Sequence, residues 1–380
     1  MRATRASSIG GWITSDEAVD AVFPALLVQA VLHLVAPLAV AIASGGPVGV
    51  GDILGAWNQW DAPHYLTIAA SGYSATANPE YIVFFPLYPA LIRLGSVLAD
   101  PLFVASVISV VCTVVAAVGL YRLARLDAPR AVARAAVVLM LVFPTAFAFA
   151  APYTESLFVA AVVWSFLAAR RGDWRGAGLL AMVASLARLQ GVFLLPALVV
   201  EYLLARRGID RRGIDRRGLW LLLPLIGPLA YLLINQAVFE DPLRFLAMQR
   251  EFWFHENAMP WEVIGDLVGD VATRSGEVDW ATTYLVPLLG FGLLAVTAVW
   301  TIASRRSRPS YAVYAIVTLV SLSTLTWPIS VARYALGVFP VFLMLGALGR
   351  RPAVAVVFGA ASAALLLALT VVFAVGGWAG

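Results

Sequence analysis

Apolar stretches recur along almost the whole chain, separated by short connections rich in arginine. Each is close to the roughly 20 residues that carry a helix across the hydrocarbon core. The first, Ala21 to Ala43, holds 23 uncharged residues. That exceeds the roughly 7 to 15 of a signal-peptide core, so a retained first span is expected over 20–43. Further spans are predicted near residues 102–122, 135–150, 156–169, 177–187, 191–205, 219–238, 281–303, 311–327, 334–348 and 353–375, eleven in all. Lipid offers the backbone no hydrogen-bond partner, so each must be helical. Several are shorter than a bilayer is thick, which implies tilted helices or broken ones lining a cavity. The pairs around Pro152 and Arg188 are the expected breaks. The expected fold class is an all-α polytopic membrane protein, one domain over residues 1–380.

Composition agrees: 61% of the 380 residues are hydrophobic and only 13% charged, with a mean hydropathy of +0.87. Such a chain is too apolar for a soluble domain of this length. All 26 basic residues are arginines, and 20 of them fall in Arg2/Arg5, Arg122/Arg125/Arg130/Arg134, Arg170/Arg171/Arg175, the run Arg206 to Arg217, Arg305/Arg306/Arg308 and Arg350/Arg351. The positive-inside rule explains these clusters, so the formal charge of +4 gives no reason to expect nucleic acid. Placing them together in the cytoplasm puts the N-terminus inside and the C-terminus outside, in the plasma membrane. Segment Tyr81–Leu98 is then laid on the outer face, because counting it as a span would export the cluster at 122–134. Two large outer loops result, 44–101 and 239–280, with 13 of the 22 acidic residues. The tandem Arg-Gly-Ile-Asp-Arg run at 207–216 reads as a solvated cytoplasmic linker. The single cysteine, Cys112, lies in an apolar run and has no partner for an internal disulfide.

Against this background a few polar residues stand out on the outer side. Asp61 lies in Trp57-Asn-Gln-Trp-Asp-Ala-Pro-His-Tyr65, beside three aromatic rings at the lipid edge. It is either a helix N-cap with proline in the first turn or a carboxylate fixed to accept a proton; the two uses are compatible. His64, three residues on, should face the same way and either orients a phosphate or sugar hydroxyl or is an ordinary interfacial residue. Phe84-Phe-Pro-Leu-Tyr-Pro89 should form a rigid aromatic ledge, its prolines breaking any helix. Glu155, in Ala151-Pro-Tyr-Thr-Glu-Ser156, is an ionisable group at membrane depth or a helix cap. Arg188 and Arg333 sit at outer ends of spans, where the chain otherwise avoids arginine. There a guanidinium suits a phosphate held by two parallel hydrogen bonds, or else it snorkels to headgroups or pairs with Glu155.

A carboxylate with outward arginines at the lipid interface fits transfer of a group from a lipid phosphate to a hydroxyl outside the cytoplasm. Asp61 would take the hydroxyl proton and the arginines would stabilise the departing phosphate. A single base acting directly on the attacking hydroxyl would invert the anomeric centre of a transferred sugar. No nucleotide-phosphate glycine loop, zinc pattern or Ser/His/Asp set points to other chemistry. The rival reading is a transporter or flippase of lipid-linked sugars without catalysis; it calls for mid-span charges and internal symmetry, neither of which is evident. A noncatalytic subunit of a larger glycosylation complex is a third.

Trp60-Asp-Ala-Pro-His-Tyr65 with Ile68-Ala69 and Gly72-Tyr73, Phe84-Phe-Pro-Leu-Tyr-Pro89, Ala151-Pro-Tyr-Thr-Glu-Ser156, Ala187-Arg-Leu-Gln-Gly191 and Ser330-Val-Ala-Arg-Tyr334 with Phe339-Pro340 resemble, in that order, the GPI mannosyltransferase 2 (PIG-V) family of GT-C glycosyltransferases. Asp241-Pro-Leu-Arg-Phe245 with Gln249 and Trp253 is similar to a segment of related membrane mannosyltransferases. The resemblance covers about residues 57–345. It implies a GT-C fold with juxtamembrane helices in the first outer loop, a polyprenyl-phosphate sugar donor, mannose above all, an extracytoplasmic site, and Asp61 as the catalytic acidic residue. The acceptor is then a lipid or glycan hydroxyl. Arg333, Arg188 and His64 are expected at the donor phosphate, and Trp60, Tyr65, Tyr88, Tyr153, Glu155, Gln190 and Tyr334 around the substrates. GT-C members often pair two acids in this loop, whereas here Trp60 and Ala62 flank Asp61 and proline stands at 63. That leaves a divalent metal open but not indicated, with Asp52 or Glu155 to supply a second carboxylate.

Overall fold

The computed structural model describes residues 13–47, 49–206 and 216–379. Arg2/Arg5 and the tandem repeat, up to residue 215, lie outside the described residues. Most of the described residues are helical, joined by turns and loops, with one isolated antiparallel bridge between Asn257 and Leu325. Among the described residues six helices are long and apolar enough to cross a membrane: Ser15–Ser44, Pro101–Arg125, Leu189–Arg206, Arg216–Phe239, Ala281–Ala303 and Pro352–Ala374. A seventh crossing is obtained if Val331–Gly337 and Pro340–Arg350, bent by 81°, count as one. The all-α membrane reading is borne out. The other expected spans each have a helical counterpart too short to cross a bilayer untilted: Arg130–Leu141 and Pro309–Leu322, shorter than expected, and Glu155–Arg170 and Trp174–Ala187, slightly longer.

Pro101–Arg125 illustrates why these segments are helices. Asp100 accepts from the amides of Leu102 and Phe103 at 2.9 and 3.2 Å, Pro101 occupies the first turn, and Arg122 and Arg125 meet the negative end of the dipole. Its buried face is lined by small residues, Ala105, Ser109, Thr113, Ala116 and Ala117, which allow close helix packing without a hydrophobic driving force in lipid. Gly119 lies under the Trp164 indole, where a Cβ would come within 2.6 Å of the ring nitrogen.

Breaks in the apolar segments all require carbonyls to find new donors, since lipid supplies none. Neighbouring helices provide them. Gln29 Nε2 and Thr113 Oγ1 donate to the Phe149 carbonyl at 3.1 and 3.2 Å, and Ser109 Oγ to that of Ala151 at 2.8 Å. Thr145 Oγ1 donates to Ala332 at 3.1 Å and the Tyr314 hydroxyl to Gly337 at 2.9 Å. At Arg188 the chain turns extended, with φ −155° and ψ 148°, then re-enters a helix whose Gly191 rests on the Ser185 backbone. The breaks expected near Pro152 and Arg188 are therefore real and internally satisfied.

Arginine clusters gather at one end of the bundle. Arg122 meets Glu17 at 2.7 Å, Arg130 meets Asp20 at 2.5 Å, Arg170 meets Asp127 at 2.6 Å and Arg308 meets Glu201 at 2.6 Å. The two large loops build short helices elsewhere: Val50–Gly55, Asp61–Ser71 and Leu87–Gly95 in the first, Arg244–Trp253 and Pro260–Thr273 in the second. Leu87–Gly95 is too short to span. It also corrects the expectation that Pro86 and Pro89 break any helix: Pro86 is the N-cap and Pro89 lies in the first turn, where an amide has no intrahelical partner to lose.

Candidate functional site

Four charged side chains from four separate motifs form one line. Arg333 Nη1 donates to Asp61 Oδ2 at 2.9 Å, Arg333 Nε lies 3.3 Å from Glu155 Oε1, and the same oxygen lies 2.5 Å from Arg188 Nη1. Their side chains range from 5% exposed for Arg333 and Glu155 to 18% for Asp61. The arginines therefore point inward and do not snorkel. Both acids stand at the first position of a helix, Asp61–Ser71 and Glu155–Arg170, in the positive field of its N-terminus. Neither caps its helix: the N-cap positions are Trp60 and Thr154, whose side chains make no capping bond. The helix-cap use of Asp61 and Glu155 is thus not the one the fold makes of them; both are held in ion pairs instead.

Local backbone geometry sets this line. Trp60 has φ 54° and ψ −107°, a region costly for a bulky residue, and it aims the following residue at the arginine. Trp327, ahead of the bent segment carrying Arg333, has φ 53°. The Asp61 amide donates to the Tyr153 hydroxyl at 3.4 Å, and that hydroxyl donates to the Gln59 carbonyl at 3.3 Å. Arg333 lies over the Tyr153 ring at 5.0 Å, and Arg188 over Tyr334 at 4.7 Å. Guanidinium groups held against aromatic faces keep their charge while losing water.

Beside the line is a narrow pocket to which Glu155, Arg188, Arg333, Gln190, Tyr334 and Tyr314 contribute. Glu155 Oε1 and Arg333 Nε are buried there, close in charge but without hydrogen-bond geometry. The expected residues Glu155, Arg188, Gln190, Arg333, Tyr153 and Tyr334 thus come together with Asp61. Thr154, Ser330 and Tyr314 join them unannounced: Arg188 Nη1 donates to Thr154 Oγ1 at 3.1 Å and Arg333 Nη2 to Ser330 Oγ at 3.3 Å. Thr154 and Ser330 sit inside quoted motifs, whereas nothing in the apolar run around Tyr314 marks it.

Three expected residues, Tyr88, Trp60 and His64, are placed otherwise, and Tyr65 stands at the edge of the line. Tyr88 is fully buried, its hydroxyl bonding the Ala105 carbonyl and Ser109 Oγ at 3.2 and 3.3 Å, so it holds Leu87–Gly95 to Pro101–Arg125 and reaches no pocket. Trp60 turns away, donating from Nε1 to the Gly377 carbonyl at 3.1 Å and meeting Trp378 edge-on. Tyr65 packs against Phe84 and Tyr88, but its phenol also reaches the line itself, interacting with Asp61, Arg188, Glu155 and Thr154; burial pushes it up. His64 lies apart from both arginines, among Tyr81, Phe84 and Trp253. Burial pulls its imidazole below the ordinary histidine range, against the pull of Asp61 and Glu80. Asp52 is spent on the Gly49 amide at 2.7 Å, leaving Glu155 as the carboxylate nearest to Asp61 through Arg333. Among the described residues no three His, Cys, Asp or Glu side chains are grouped as metal ligands.

Residues 79–234 match the family model described as dolichyl-phosphate-mannose-protein mannosyltransferase. The GPI alpha-1,6-mannosyltransferase 2 of Mus musculus is 31% identical over 156 residues, 38% of this chain and 31% of its own, so the match spans about a third of that relative. A solved Archaeoglobus fulgidus oligosaccharyltransferase aligns with 93% of this chain and 53% of its own at 14% identity and a TM-score of 0.46. The family match includes Glu155, Arg188 and Gln190 but neither Asp61 nor Arg333. The mannosyltransferase resemblance read from the motifs is thereby borne out, and residues 79–234 of this membrane chain are its mannosyltransferase-like part.

Proposed function

We propose that the chain is an inverting GT-C glycosyltransferase that moves a sugar, mannose above all, from a polyprenyl-phosphate donor to a hydroxyl of a lipid or glycan acceptor on the extracytoplasmic side. The observation that carries this reading is the buried line Asp61, Arg333, Glu155, Arg188 opening onto a pocket. Arg188 and Arg333 hold the donor phosphate, with Gln190 and Tyr334 beside it. A phosphate that takes donors from Arg333 loosens the 2.9 Å bond to Asp61 and frees that carboxylate to work as a base. The acceptor oxygen then forms its bond to the anomeric carbon while the bond from that carbon to the phosphate oxygen breaks. The electron pair leaves with the phosphate, and the acceptor proton passes to Asp61. The departing charge develops against two desolvated guanidinium groups, where it is worth far more than in water.

The arginine-rich end is the cytoplasmic one in this reading, which puts the N-terminus inside. The test is transfer by the detergent-purified protein from radiolabelled polyprenyl-phosphate mannose, with release of lipid phosphate. Wild type should transfer sugar and Asp61→Asn should not, at equal folding; transfer by Asp61→Asn at the wild-type rate would overturn the assignment.

A further inference from the structure

Two more buried nitrogens lack partners, one of them on the helix that carries Asp61, and their rings are in contact. One is His64 Nδ1; the other is Trp253 Nε1. They come from different loops, yet the two rings meet edge-on at 5.8 Å. Tyr81 lies 4.5 Å and Phe84 5.2 Å from the His64 ring, and Phe84 meets Trp253 at 5.5 Å. The result is a partly exposed aromatic cluster, here called a cup, that encloses two unmatched polar atoms. Leaving a buried donor or acceptor unmatched forfeits the hydration it had in water, so a pair in one place points to a ligand that completes them.

The chemistry of that ligand follows from the surroundings. A lipid tail would leave both nitrogens unmatched. An anion is disfavoured, because the charges acting on His64 are those of Asp61 and Glu80, both acidic. A neutral ring with one apolar face and several hydroxyls satisfies the cup: C–H groups lie on the aromatic faces, and hydroxyls meet the imidazole and the indole N–H. Burial holds His64 neutral at physiological pH, when it is both donor and acceptor. His64 stands three residues from Asp61, about 4.5 Å along the helix axis, so a hydroxyl of a sugar held here lies within reach of the carboxylate.

We propose that His64, Trp253, Tyr81 and Phe84 form the subsite for a pyranose ring of the acceptor, separate from the arginine pocket. Its role as acceptor subsite rests on the glycosyltransferase reading; its capacity to bind a neutral sugar does not. The test is saturation-transfer NMR on the detergent-solubilised full chain with methyl α-mannopyranoside as probe and cyclohexylmethanol as control. Wild type should give a sugar signal well above the control. His64→Ala and Trp253→Ala should each lower it at least fivefold, and Trp253→Phe, which keeps the ring but loses the N–H, should give an intermediate value at an unchanged melting temperature. No sugar signal in wild type, or a signal that Trp253→Phe and His64→Ala leave intact, overturns the proposal. Asp61→Asn should retain the signal. Sugar binding in a protein that transfers nothing would sustain the cup and defeat only the enzymatic reading.

Discussion

Glu201 and Glu155 are near twins with opposite fates. Each is a buried glutamate, 1% and 4% exposed, between two arginines. At the arginine-rich end Glu201 is fully engaged: Arg308 Nε at 3.0 Å and Ser310 Oγ at 2.6 Å donate to one oxygen, and Arg308 Nη2 lies 2.6 Å from the other. At the other end Glu155 Oε1 is close to two guanidinium groups but aligned with neither. A closed pair fastens helix ends, whereas a misaligned one leaves donor directions open to an incoming anion. The difference lies in the backbone. Glu201 sits within a continuous helix, and Glu155 begins a helix after a break, facing two more breaks at Arg188 and ahead of Arg333.

The largest effect that would separate the two ends is in Asp61→Asn. Transfer from polyprenyl-phosphate mannose should fall about 10³-fold, the scale of a lost general base, with the melting temperature nearly kept. Next, Arg333→Met and Arg188→Met should each lower kcat/KM for the donor about 10²-fold, as for a lost transition-state donor. The same two changes should abolish the thermal stabilisation that a short prenyl phosphate gives wild type, about 2.7 kcal/mol at a hundredfold excess over Kd. Glu201→Gln should do the reverse, costing about 2 kcal/mol of stability because Arg308 remains partly solvated. Transfer by its folded fraction should be undiminished. If Glu201→Gln lost transfer as Arg188→Met does, the contrast would collapse.

The smallest effect concerns pH. Burial lowers the His64 pKa from 6.5, so below that pH the unfolded chain takes up a proton that the folded chain refuses. The contribution is therefore present above about pH 6.5 and lost as pH falls. His255, in the second loop, is lowered for the same reason. His64→Gln should shrink the loss of stability between pH 7.5 and 5.5 by about 1 kcal/mol at most, read as the difference in melting temperature; an unchanged loss would place the titrating group elsewhere.

Much of this was legible in the chain itself, for reasons that can be traced. Span positions follow from hydropathy, and the sharing of one end by Arg122, Arg130, Arg170 and Arg308 follows from their spacing between spans. The gathering of Asp61, Glu155, Arg188 and Arg333 was approachable because each breaks the charge pattern at the same end. Their pairing was not, since 272 residues separate Asp61 from Arg333. Side-chain direction was the least legible quantity. Helical spacing puts His64 on nearly the same face as Asp61, yet a turn's offset and the second loop's Trp253 give it separate company. Tyr88 read as an exposed ledge residue because nothing local reveals Ser109 waiting for its hydroxyl.

Trp60 carries one practical consequence. The residue ahead of Asp61 is tethered by its indole to the Gly377 carbonyl and leans on Trp378. A change at Gly377 or Trp378, remote in sequence, therefore pulls on the strained peptide that aims the carboxylate, and a loss of activity on altering that segment is no sign of a reacting group within it.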